Sequence, residues 1–406
     1  MMNIKNKIMS DFMFYFSDMA LVSLIGYIFY FLMGRLLIPE DYGAMMTLIG
    51  LYAVLTPILS LGFNEALARF GPRVSDNQLK NLLSYSLKKS FTFALIVALL
   101  FLGLSDTIAN YVYGNPNLVF PLRVLGVMLV TGIFFIISRG YLQGKKDFKK
   151  MLLCDIVAQP LRLIIPFFLA TIIGGVLGWA ACFVVFALLV LIVAFGKGFK
   201  KEPLSKDFLR FGLSSSLSLA GYWFYVQFPV IFLSLVSLEL SGYFAVAVVF
   251  AQMVLFFPLT IYGLIIPHLS GLYNENKIKK AKKLVGLSVL QTLCACLVLG
   301  ILIYLFSDKI IPILYTPEYL VSVPYVILFS MLAIIFGINW VLLSAMYAKG
   351  NPLKRAKYIW LAHLISVALT IALFGYYEVY AILIAYFISQ VFLLGLNLRF
   401  IYGNKR

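Results

Sequence analysis

Gly26-Tyr27-Ile28-Phe29-Tyr30 returns in this chain as Gly221-Tyr222-Trp223-Phe224-Tyr225. Working outward, Asp76-Asn77-Gln78-Leu79-Lys80 returns as Glu275-Asn276-Lys277-Ile278-Lys279. Gly43 aligns with Gly242 and Tyr113 with Tyr315, on an offset that drifts from 195 to 202 as loop insertions would make it. Each match alone is weak, because apolar helices share residues by chance. Their common order and nearly constant offset imply a duplicated unit of roughly 200 residues, a plan common among membrane transporters with a substrate site between repeats.

The unit is a membrane unit. The chain is 63% hydrophobic and only 12% charged, more apolar than a soluble core requires. Twelve apolar runs stand at 12–34, 43–66, 86–104, 119–138, 151–173, 175–196, 211–236, 241–267, 284–306, 322–347, 358–375 and 378–401. Most reach the ~20 residues a spanning helix needs. A membrane β-barrel would show short alternating segments instead. The expected fold is an all-α integral membrane protein of about twelve helices, with lobes of six at 1–200 and 201–406. Six is even, so both halves start on the same side, as parallel repeats.

The net charge of +17 resembles a nucleic-acid signal until the charges are placed. All but Arg35, Arg123, Arg162 and Lys309 of the 33 Lys and Arg lie at the termini or in alternate connections, at 69–89, 139–150, 197–210, 277–283 and 349–357. By the positive-inside rule both termini are cytoplasmic in a multi-pass protein of the cell membrane. The basic balance then reflects topology and contact with anionic membrane lipids, not nucleic acid. Lys5 and Lys7 precede an apolar run longer than a signal-peptide core, which reads as a retained helix. Cys154, Cys182, Cys294 and Cys296 all fall in or at the edge of spans, where disulfides are not expected.

The link from Lys197 to Arg210 reads as a polar connector between halves. Asp76 to Lys89 and its counterpart 275–283 read either as short interfacial helices or as basic segments merging into the next span. Prolines interrupt corresponding helices: Pro57 lies in span two, Pro258 in span eight, two residues out of register, and Pro229 in span seven. Proline removes a helical hydrogen bond, so these three are the candidate kinks. Pro160 and Pro166 break span five.

Span five carries the most telling polar pattern. Asp155, Gln159 and Arg162, at i, i+4 and i+7, share one helix face. An arginine in mid-membrane needs protein, water or a partner around it. It is either a cationic contact for an anionic substrate or half of a structural ion pair. Within one helix about 10 Å of rise separates Asp155 from Arg162, which strains direct pairing. Asp18 in span one, like Asp155, is a candidate for ion coupling, or pairs with Arg162, Arg139 or a lysine. His363, Ser366 and Thr370 form a stripe on span eleven, and Gln390 and Asn397 another on span twelve. Such stripes either line a wet cavity or join helices by hydrogen bonds. Arg123 and Arg35, near span ends, either face a pathway or reach out to headgroups. Arg162, Gln159, Asp155, Arg123, Arg35 and His363 are therefore the cavity candidates.

Enzyme signatures are missing from the sequence. There is no G-x-x-x-x-G-K-[ST] phosphate loop and no G-x-S-x-G elbow. The two histidines, His268 and His363, have no metal-ligand neighbours at useful spacing. No catalytic residue, metal or cofactor is expected, and energy has to come from a gradient, the membrane potential or a partner.

Three short motifs carry a family resemblance. Gly34-Arg35-Leu36-Leu37-Ile38-Pro39-Glu40-Asp41-Tyr42-Gly43 resembles the R-x-L-x-P-E-D-[FY]-G signature of the polysaccharide-biosynthesis flippases. Leu61-Gly62-Phe63 followed by Ala66-Leu67-Ala68-Arg69-Phe70 resembles their pattern at the end of span two, and Gly140-Tyr141-Leu142-Gln143-Gly144 resembles the Q-G ending of span four. The family lies in the multidrug/oligosaccharidyl-lipid/polysaccharide exporter (MOP) superfamily. The resemblance implies two six-helix lobes around a central cavity and alternating access. It implies a polyprenyl- or dolichyl-pyrophosphate-linked glycan as substrate, moved from the inner to the outer leaflet, with glycan-assembly proteins as partners. Independent physics agrees that a sugar pyrophosphate cannot cross hydrocarbon unaided. Two competing functions stand beside this one. A cation-coupled multidrug or small-molecule antiporter of the same superfamily would favour an acidic cavity. A membrane glycan polymerase or ligase would need a larger outer loop than 105–118 or 307–320 provides.

Overall fold

The structure, a computed structural model, describes residues 2–194, 206–349 and 351–402. Among these residues every regular element is a helix, with no strand. In the first half, α1 (Met2–Leu36), α2 (Pro39–Leu59), α3 (Phe63–Phe70), α4 (Asp76–Thr107), α5 (Val119–Lys145), α6 (Phe148–Ala158), α7 (Leu161–Phe168) and α8 (Ile172–Ala194) follow one another. The second half holds α9 (Lys206–Ser234), α10 (Leu238–Asn274), α11 (Ile278–Leu314), α12 (Val323–Ala348), α13 (Pro352–Tyr377) and α14 (Val379–Tyr402). Among the described residues, twelve spans are long and apolar enough to cross a membrane, α6 and α7 together making the fifth.

The chain divides into two compact units, Met1–Ala220 with Ser234–Glu239, and Gly221–Leu233 with Leu240–Arg406. The division passes inside α9. Most of the expected connector, from 197 to 205, and the expected boundary at 200 lie outside the described residues; Lys206–Arg210 is already helical.

The repeated sequences occupy equivalent points in the two halves. Gly26 and Gly221 sit on the first span of each. Gly43 and Gly242 each lie four residues into the second, and Tyr113 and Tyr315 each cap the end of the third. The third spans are also alike in exposure: only 17% of the most apolar window is buried in each, against 72% and 61% for the second spans. Their open faces are leucine and isoleucine, such as Leu99, Leu100, Ile301 and Leu302. A helix that is apolar on its exposed face requires lipid as its solvent.

The structure decides between the two readings of Asp76–Lys89 and 275–283, shortens span two, and shows the break expected at Pro160 in span five. Asp76–Lys89 is no separate interfacial helix: α4 runs unbroken from Asp76, its start fixed by a reciprocal capping box between Ser75 and Gln78. Its counterpart likewise merges into α11. Span two stops at Leu59, earlier than its hydropathy, because Leu61 and Gly62 turn left-handed before α3 begins. Span five is two helices, because Pro160 has no N–H to continue α6.

The signature motifs have visible packing roles. Pro39 opens α2 and Glu40 and Asp41 fill its first turn, where a fixed φ and negative charge favour a helix start. Gly140 and Gly144 of α5 let α3 approach at backbone distance. A Cβ on Gly144 would stand 2.4 Å from the Leu67 carbonyl oxygen, and one on Gly140 2.5 Å from the Asn64 Cα. Two motifs read separately in the sequence are thus the two faces of one helix contact.

Candidate functional site

The first unit encloses a chain of charged and amide side chains. Asp18 comes from α1, Arg139 from α5, Asp155 from α6, Gln159 from the break before Pro160, and Arg162 from α7. Arg139 donates from Nη2 to Asp18 Oδ2 and from Nη1 to Asp155 Oδ2. Gln159 Nε2 donates to Asp155 Oδ1 at 2.7 Å, and its Oε1 accepts from Arg162 Nη1 at 3.0 Å. Asp18 and Asp155 are fully buried and Arg162 is 3% exposed. Two carboxylates and two guanidinium groups leave the group formally neutral. An ionic cluster is tolerated in an apolar interior only with such pairing and hydrogen bonding.

Aromatic rings hold the cations from the sides. The Arg162 guanidinium carbon lies 3.7 Å from the ring centre of Trp179 on α8 and 5.7 Å from that of Phe29. Arg139 lies 5.6 Å from both Phe135 and Phe186. On α1, a Cβ at Gly26 would meet Arg162 Nη2 at 3.2 Å, so the repeated glycine makes room for the arginine. Two buried polar atoms of the cluster have no partner among the described residues, Asp18 Oδ1 and Arg162 Nε.

The break at Gln159–Pro160 explains how span five serves this cluster. An unbroken helix would hold Asp155 and Arg162 two turns apart. Here the Gln159 amide bridges them. Of the six cavity candidates, the structure brings together Asp155, Gln159 and Arg162, joined by the coupling candidate Asp18. Arg35 is exposed at the end of α1. Arg123 is exposed on α5, bonded to Asp106 at 2.8 Å and to Ser105 Oγ at 3.0 Å.

His363 belongs to the second unit. It is buried against Tyr225, Phe224 and Trp360, with Nε2 on the Gly221 carbonyl. Gln390 and Asn397 on α14 meet Asn339 of α12: Asn339 Nδ2 donates to Gln390 Oε1 at 2.9 Å, and Asn397 Nδ2 donates to Asn339 Oδ1 at 3.0 Å. Neutral amides here join the helices of the second unit, where charges occupy the first.

Pro57, Pro229 and Pro258 all lie within helices. Pro229 and Pro258 deprive the carbonyls of Tyr225 and Val254 of their helical donors. The Tyr386 hydroxyl and the Cys296 thiol supply replacements.

The sequence alone places Arg139 in the basic connection 139–150, as one possible partner for Asp18. Its signal was positional: α5 stays helical to Lys145, so Arg139 lies nearly two turns inside the span. Arg355, grouped with the basic segment 349–357, is likewise 2% exposed.

A sequence profile for the family described as "Polysaccharide biosynthesis protein" matches residues 32–324. No curated protein matches the sequence. Among solved structures, an inward-facing multidrug resistance MATE family transporter of the MOP superfamily superposes with a TM-score of 0.78 at 16% identity, over 94% of each chain. A MATE structure in the bent conformation gives 0.70 at 16% identity, over 95% of this chain and 93% of that one. A MOP superfamily transporter from Pyrococcus furiosus Vc1, described as having a binding pocket of reverse polarity that suggests a different function, gives 0.64 at 16% identity, over 96% and 94%. At such identities the likeness is one of fold.

Proposed function

The chain belongs to the polysaccharide biosynthesis protein family, and on that premise we propose that it is a flippase moving a lipid-linked oligosaccharide from the inner to the outer leaflet by alternating access. The observation that carries this reading is the family match over residues 32–324 on a MATE-like, twelve-span fold. The substrate is a polyprenyl- or dolichyl-(pyro)phosphate-linked glycan, and proteins of glycan assembly act before and after it. Both termini face the cytoplasm, where the basic connections meet anionic lipid.

The cluster around Arg139 is the coupling element in this proposal. Arg139 is shared by two buried carboxylates, so a proton or cation taken up by Asp18 or Asp155 releases it toward the other. Gln159 passes that change to Arg162 at the hinge of span five. Arg162 is closed in by Trp179 here, so it meets an anionic headgroup only in a conformation where α7 withdraws from α8.

The test is translocation in reconstituted vesicles. Purified protein should move a pyrophosphate-linked glycolipid between leaflets with no ATP present. Loss of the gene should strand such lipids on the cytoplasmic face and deplete a surface glycan.

A cation-coupled small-molecule exporter is the second reading. The neighbouring multidrug resistance transporters share its fold, and the unpartnered Asp18 Oδ1 favours ion uptake. Normal surface glycan in a deletion strain without a redundant homologue, together with sensitivity to cationic drugs, would favour it over the flippase.

A further inference from the structure

Among the described residues, the second unit buries a cation without an anion. Arg355, in the first turns of α13, is 2% exposed. Among the described residues, no carboxylate forms an ion pair with it. Arg139 and Arg162 in the first unit are balanced by Asp18 and Asp155, so the second unit is the exception. An isolated buried charge is unfavourable unless an opposite charge accompanies it.

Its setting holds the guanidinium without neutralising it. Nη1 donates to the Tyr262 hydroxyl at 2.5 Å. The ring centres of Trp340, Tyr262 and Tyr347 lie 4.3, 5.0 and 5.4 Å from Cζ. Nε and Nη2 have no partner among the described residues. These two nitrogens form one edge of the guanidinium, the edge that presents two parallel N–H bonds to an oxyanion. Arg355 is thus anchored at one end, clasped by rings, and unpaired among the described residues along its buried bidentate edge.

The surroundings are basic. Lys349, Lys354 and Lys357 are exposed at the same end of the unit. Lys349 lies 4.9 Å from the ring centres of Tyr273 and Phe400, and Lys354 lies 4.5 Å from that of Phe400. Tyr262 and Tyr347 are half-buried, so the collar reaches the surface. Cations interleaved with aromatic rings at the end of a spanning bundle suit a phosphate on an apolar chain.

We propose that Arg355, within the collar of Trp340, Tyr262 and Tyr347, is a binding site for a phosphate oxyanion at the basic end of the second unit. The phosphate comes from a membrane lipid headgroup or from free phosphate or pyrophosphate. The site stands apart from the transport reading, since its occupant can bind without being translocated.

The experiment uses the full-length protein in non-ionic detergent. Inorganic phosphate, inorganic pyrophosphate and mixed micelles containing phosphatidic acid are each titrated, with phosphatidylcholine micelles as control. Tryptophan fluorescence and the unfolding midpoint are followed. At least one phosphate form should bind saturably and raise the midpoint. Binding by the free anions identifies a soluble source, and binding by phosphatidic acid alone identifies a lipid. Arg355→Gln should weaken binding by about tenfold or more, and Arg355→Lys should keep part of it, because charge survives without the two-pronged geometry. Should Arg355→Gln fail to fold, Tyr262→Phe keeps the ring, removes the anchor of Nη1, and should weaken binding several-fold. Absence of binding by every phosphate form, or equal binding in wild type and in the foldable variants, overturns the site.

Discussion

The hydroxyl of Tyr386 on α14 donates to the backbone carbonyl of Tyr225 on α9, the acceptor that Pro229 leaves without a helical donor. A proline four residues on cannot return an N–H to that carbonyl. In a dry interior an unmet carbonyl is costly, so a neighbouring span supplies the missing hydrogen. The interruption in α9 and the tyrosine on α14 are therefore one device.

Tyr386→Phe should lower stability by about 1–3 kcal/mol, the range for leaving a buried polar group unmet. In a Pro229→Ala background the helix supplies its own donor, and the same substitution should cost less. The unfolding midpoints of the four proteins in detergent check this; equal losses in both backgrounds would disprove the link.

Arg139→Leu should destabilise the first unit by about 3–5 kcal/mol, because two buried carboxylates lose the guanidinium they share. Asp18→Asn alone should cost less, since Arg139 keeps Asp155. Asp18→Asn added to Arg139→Leu should recover part of the loss. Denaturation of all three variants gives the order, and a larger loss for Asp18→Asn than for Arg139→Leu contradicts it.

Gly144→Ala should destabilise by about 1–3 kcal/mol, because its Cβ would meet the backbone of α3, which cannot step aside. Gly103→Ala is the control. Nothing lies within 4 Å of its Cβ, so helix propensity alone should act, a gain of up to about 1 kcal/mol. Thermal unfolding of the two variants separates packing from propensity.

Arg162→Ala should impair glycolipid translocation while the protein still reaches the membrane. Arg162→Lys should keep part of the activity, since an ammonium retains the charge but not the planar stack on Trp179 together with the bond to Gln159. Vesicle translocation assays read both, and full activity in Arg162→Ala removes the residue from the mechanism.

Single cysteines at Lys146 and Lys279 should react with membrane-impermeant reagents only when the cytoplasmic side is opened. Labelling from outside intact cells would reverse the proposed orientation.

By itself, the sequence determined the number of spans, their duplication and the presence of costly polar groups among them. Those properties are local: hydropathy decides whether a segment sits in lipid, and a repeat is visible wherever two segments are compared. Asp18, Asp155, Gln159 and Arg162 were legible for the same reason, as polar residues in apolar runs. The tertiary structure alone decided the partners. Which charge meets which depends on how each helix is rotated and where it breaks, and those follow from packing between residues far apart in the chain. Hydropathy could not tell that Gln159 spans the gap at Pro160, nor that Arg139 and Arg355 turn inward from segments that read as basic loops. A lysine and an arginine side by side, as at Lys354 and Arg355, look alike in sequence. On a helix they point about 100° apart, one to the surface and one to the interior.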